Sequence, residues 1–122
     1  MSSRSAAVSD LNPVSSLSDC HLKVAIAREV LHWKSIRVSS DGRITGSHPN
    51  PNLLTTTPLT APDWTNNEIS MSRLERTIKR MGLNLAYRRE LGKIAGDFNP
   101  SPTGRQRCEA ILLAARTTPF ER

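Results

Sequence analysis

A chain of 122 residues with 37% apolar content can enclose one hydrophobic core, but not two comfortable domains, and part of it must bury little. Its charge is lopsided: residues 1–70 hold six Lys/Arg against six Asp/Glu and residues 71–122 eleven against five, so the whole net charge of +6 lies after position 70. A basic half favours an anionic partner (nucleic acid, a phosphorylated small molecule or an acidic protein), and a solvated helix surface rich in arginine is the competing reading.

Residues 1–18 are rich in Ser, with scattered apolar residues and no apolar period, which predicts a disordered tail. A helix is expected from about Cys20 to Trp33, capped by Ser18 or Asp19, with Leu22, Ile26, Val30 and Trp33 on one face. Ile36 and Val38, the turn signal Asp41-Gly42 and Arg43 to Thr45 then predict a hairpin. Such short strands persist only when packed on helices. From His48 to Asp63, Pro49, Pro51, Pro58 and Pro62 predict an extended loop, because each proline lacks a backbone donor and restricts the residue before it.

Thr65 and Glu68 have the spacing of a capping box, in which each side chain satisfies the other residue's backbone N–H. Met71, Leu74, Ile78 and Met81 follow as an apolar stripe, and Gly82 has the freedom to close that helix in a left-handed conformation. Leu85 to Ala95 reads as a third helix with Tyr87, Leu91 and Ile94 on one side, although its first half also suits a strand. The last helix starts at Ser101 or Thr103. Thr103 with Gln106 repeats the capping-box spacing, Cys108, Ile111, Leu112 and Ala115 supply a buried face, and Pro119 limits the end. The sum is one α+β domain over residues 19–122: three to four helices packed on a small antiparallel sheet.

Chemistry is sparse. No apolar run approaches the ~20 residues that cross a bilayer, and no apolar segment follows Arg4, so neither a membrane segment nor a signal peptide is expected. Cys20 and Cys108 belong to no CxxC or Cys/His cluster, which suggests a reduced, intracellular chain. His21 and His32 lie three helical turns apart and cannot share one ion, and His48 is in the proline-rich loop. Neither a Gly-x-Ser-x-Gly elbow nor a glycine-rich phosphate loop is present, so neither catalysis nor a cofactor is expected.

The strongest functional signal is basic. Arg73, Arg76 and Arg80 line one helical face beside Lys79, and Arg88, Arg89 and Lys93 gather around Tyr87. Guanidinium groups suit phosphate because their planar fork donates two parallel hydrogen bonds, and Tyr87 or Trp64 could stack on a base. The plainer alternative pairs Glu75 with Lys79 on a solvated face and leaves Tyr87 in the core. A helix-turn-helix around Gly82 would bury the positions six and nine residues beyond the glycine. These are Arg88 and Leu91, and Arg88 fails that test.

Taken in order, a helix ending in Trp33, a hairpin with Asp41-Gly42, the Pro62-Asp63-Trp64-Thr65-Asn66 helix start, the segment around Tyr87 and the Ser101-Pro102-Thr103, Gln106-Arg107 and Ala110 pattern resemble the phage ABA-sandwich domain proteins. The resemblance spans residues 19–115 and departs from the family pattern at Ile69-Ser70-Met71, where members carry an Ala-Trp or Ala-Met start. It implies an α-β-α layered fold and a viral or prophage setting in the cytoplasm of a bacterial host. Small phage accessory proteins without enzymatic motifs often inhibit a host antiviral defence component by binding it, as anti-CRISPR proteins do, or sequester a signalling nucleotide. The expectation is therefore a non-enzymatic inhibitor acting on a host defence protein complex or an anionic nucleotide, with a small nucleic-acid-binding accessory protein as the alternative.

Overall fold

The computed structural model describes residues 14–47 and 59–117. In chain order these form a 3-10 turn (Val14–Ser16), helix α1 (Asp19–Ala25) with a π-helical extension (Ile26–Val30), and strands β1 (Lys34–Val38), β2 (Ile44–Ser47) and β3 (Leu59–Thr60). Helices α2 (Glu68–Arg80), α3 (Asn84–Ala95) and α4 (Gly104–Thr117) follow. The α+β expectation holds, and the antiparallel sheet has the order β1-β2-β3.

Helix α4 is the centre. Its run from Cys108 to Ala115 is apolar except for Glu109, and every member but Leu113 is buried, so this helix meets neighbours nearly all round. It touches the 3-10 turn, α1 and its extension, α2 and α3, while the sheet lies against α1 and its extension at the flank. The expected capping box at its start is present: Thr103 Oγ1 accepts from the Gln106 N–H (3.0 Å), and Gln106 Oε1 accepts from the Thr103 N–H (2.9 Å).

Of the expected tail, residues 1–13 lie outside the described residues, and the remainder is folded. Val14 is buried in the core with Leu17 packed against it, and Ser18 caps α1 by accepting from the His21 N–H (3.1 Å). What holds this segment is remote in sequence. The Arg105 guanidinium donates to the carbonyls of Val14 (3.3 Å), Ser15 (3.3 Å) and Leu17 (2.6 Å), and pairs with Asp19 (2.8 Å) and Glu109 (2.6 Å).

Leu22, Ile26 and Val30 are buried as expected, but the helix stops before Trp33. The backbone widens so that the Leu31 N–H donates to the Ile26 carbonyl (3.0 Å), and His32 takes a left-handed φ of 59°. Trp33 thereby leaves the helix and comes to lie over Gly46 of β2, where an added Cβ would stand 3.1 Å from its ring. The hairpin is where the sequence places it, with Gly42 at φ 87° in its turn. Residues 48–58 of the expected loop lie outside the described residues, whereas Leu59–Thr60 pair with β2 as a third strand.

The start of α2 differs from expectation. Its cap is Asn67, whose Oδ1 accepts from the Ser70 N–H (3.0 Å), not Thr65. Asp63 has already drawn the preceding residues into a turn: its carbonyl accepts from the Asn66 (3.1 Å) and Asn67 (2.8 Å) N–H groups, and its carboxylate from Thr65 Oγ1 (3.1 Å). Thr65 is buried in that turn, and Glu68 reaches Arg107 of α4 (2.9 Å) instead of closing a box. At the other end, Gly82 at φ 80° donates its N–H to the Lys79 carbonyl (3.1 Å), and Leu83 to that of Ile78 (3.1 Å). These are the two bonds of a Schellman motif, and Ile78 and Leu83 both enter the core. Helix α3 follows three residues after the end of α2, with no strand in its first half.

Candidate functional site

The Schellman turn folds α3 back beside α2 and opposes two matched rows of side chains. Ser72, Glu75, Arg76 and Lys79 face Asn84, Tyr87, Arg88 and Leu91, each row's later members three, four and seven positions after its first, and together they line a groove of about 440 Å³. Arg76, Lys79 and Arg88 are exposed at its sides. Tyr87 is only 4% exposed and, with half-buried Leu91, forms its floor.

The electrostatics follow from where the carboxylates go. Glu75 does not pair with Lys79. It turns inward, accepts the Tyr87 hydroxyl proton in a hydrogen bond, and lies 3.8 Å from the Arg107 guanidinium. Glu68 pairs with Arg107 (2.9 Å) and Glu90 with Lys93 (3.5 Å). The hydrogen bond from Arg107 holds the Glu68 carboxyl below its ordinary range despite some desolvation. Burial, reinforced by the Glu75 carboxylate, raises the Tyr87 pKa far enough that the phenol stays protonated. All three acids of α2 and α3 are thus engaged. Among the described residues, Arg73, Arg76, Lys79, Arg80, Arg88 and Arg89 make no ion pair, and all six are exposed.

Of the residues singled out by sequence, Arg76, Lys79, Tyr87 and Arg88 meet in the groove. Arg73, Arg80, Arg89 and Lys93 lie on the same two helices outside it. Base stacking by Tyr87 or Trp64 is excluded, because Tyr87 is sealed against Glu75 and Trp64 is 3% exposed. Among the described residues, the exposed aromatic is Phe98, in the loop between α3 and α4. Ser72 and Asn84 are the lining residues that charge-based reasoning passes over. Their signal is positional, since each begins one of the matched rows.

Among the described residues, no group of three or more His, Cys, Asp or Glu could hold a metal ion, and no helix is long and apolar enough to cross a membrane. His48 lies outside the described residues. Cys20 and Cys108 are free thiols, and burial pushes the Cys108 thiol up to about 12, leaving it protonated and unreactive at neutral pH. No family model, curated protein or solved structure matches the chain.

Proposed function

We propose that this protein is a non-enzymatic binding protein that engages an anionic partner stoichiometrically through the basic face of α2 and α3. The observation that carries the reading is the segregation of charge on these helices: every carboxylate is engaged, while six exposed cations make no ion pair among the described residues. In the phage setting implied by the sequence resemblance, the partner is a host antiviral defence protein or the anionic nucleotide that signals to it, and binding inhibits the defence. A protein interface of this kind gains association rate from the long-range field and residence time from bidentate arginine contacts.

The test reverses Arg76, Arg80 and Arg89 to Glu in one variant and Arg28, Arg37 and Arg43 to Glu in another, each first shown to keep its far-UV spectrum and melting midpoint. Affinity capture from host lysate, with mass spectrometry of protein and nucleotide fractions, should lose the partner in the first variant and retain it in the second. A folded first variant that binds with wild-type affinity would reduce the face to solvated helix.

A second reading, nucleic-acid binding, is favoured by Phe98, which is 97% exposed; its neighbours Asp97 and Asn99 share a further groove of about 270 Å³ with Arg88. Backbone binding of that kind should collapse steeply between about 50 and 200 mM salt, whereas a shaped protein interface should persist. Phe98→Ala should weaken only the former, through lost stacking.

A further inference from the structure

We propose that the groove between α2 and α3 is a small-molecule site for a nucleotide carrying at least two phosphate charges, such as a nucleoside diphosphate. The inference rests on reading this face as anion-binding, and narrows it to one cavity and one ligand class. Three observations carry it. The groove has about 440 Å³ of space, within the range of small-molecule pockets and well beyond the needs of a single phosphate. Arg76, Lys79 and Arg88 converge on it from two helices and make no ion pair among the described residues, so a ligand of charge −2 to about −3 would balance them. The rest of the lining is not cationic: half-buried Leu91 offers an apolar contact, and Ser72 and Asn84 offer neutral donors and acceptors of the kind a nucleobase or ribose requires.

The Glu75 carboxylate, the acid in the lining, is already bonded to the Tyr87 hydroxyl and close to Arg107, which limits its opposition to an incoming anion. The guanidinium forks of Arg76 and Arg88 bind phosphate oxygens in pairs, and Lys79 supplies a point charge between them in sequence. The remaining cations of the face, Arg73, Arg80, Arg89 and Lys93, do not line the groove and add only to its field.

Isothermal titration of the full chain tests this with ADP, inorganic pyrophosphate, adenosine and a ten-nucleotide oligothymidylate. ADP and pyrophosphate should bind one per chain, ADP more tightly, and adenosine should not bind. Arg76→Ala and Arg88→Ala should each weaken ADP at least about tenfold. Arg73→Ala and Arg89→Ala, exposed but outside the groove, should change it less than about twofold.

Absence of ADP binding at millimolar concentration would overturn the proposal. Equal losses from all four substitutions would do the same, because they would reveal a diffuse field. Oligothymidylate that binds and is not displaced by ADP would identify the occupant as nucleic acid. If ADP fails while the Glu triple variant still loses its partner, the groove is refuted and the basic face stands. If both fail, the reading of the face falls with it.

Discussion

Asp63 shows how one side chain sets a local structure. Its carboxylate accepts from Lys23 Nζ (3.2 Å), Thr65 Oγ1 (3.1 Å) and Asn66 Nδ2 (3.2 Å), joining α1 to the turn that precedes α2. Partial burial disfavours its charge, but the hydrogen bonds from Asn66, Lys23 and Thr65 outweigh that cost, and the group titrates below its ordinary 3.8. A carboxylate with a folded pKa below its unfolded one stabilises the fold fully above the unfolded value, and this contribution disappears as pH falls through the folded value. The stability difference between wild type and Asp63→Asn should therefore be constant from pH 7 to about 5 and shrink below about pH 4. Urea titrations across that range measure it, and a difference that grew on acidification would refute the assignment.

At the scale of elements, helix boundaries are decided by which group reaches the free amides first. Asn67→Ala should cost about 1 kcal/mol, because the Ser70 N–H loses its side-chain acceptor. Thr65→Ala should cost a similar ~1 kcal/mol for another reason: it removes a part-buried hydrogen bond to Asp63 and leaves the cap in place. Thermal melts alone would not separate the two. Amide exchange would, since Asn67→Ala should release the first turn of α2, whereas Thr65→Ala should loosen residues 63–66 and the Lys23 contact. Similarly, Ser72 and Asn84 become groove residues only because the Schellman turn at Gly82 sets α3 against α2.

For the molecule as a whole, Arg105 connects what the chain separates. Its bonds to Val14, Ser15 and Leu17 span 91, 90 and 88 residues, and it neutralises Glu109 on the central helix. Arg105→Gln would strand the buried Glu109 carboxylate and the part-buried carbonyls of Val14 and Leu17, so a loss of about 2–3 kcal/mol is expected. Deletion through Ser18 should also lower the melting midpoint, since it removes Val14 from the core and the cap of α1. A midpoint unchanged by both alterations would mean that the 14–18 segment adds nothing to stability.

What the sequence determined by itself lies within about one helical turn: the Met71-Leu74-Ile78 stripe, the left-handed Gly82, the Asp41-Gly42 turn and the Thr103/Gln106 box. Each is a contact between residues no more than four or five positions apart, where spacing alone predicts who meets whom. The concentration of positive charge after residue 70 was equally legible, since net charge needs no geometry. Only the tertiary structure decided which cations face a cavity, that Tyr87 turns its hydroxyl to Glu75 rather than to a ligand, and that Asn67 displaces Thr65 as the cap. It also made position 104 a glycine site, where a Cβ would stand 2.3 Å from the Thr65 carbonyl oxygen. The physical reason is common to all of these. They depend on side chains or backbone brought together by burial around α4, and burial is a property of the whole chain, not of any window in it.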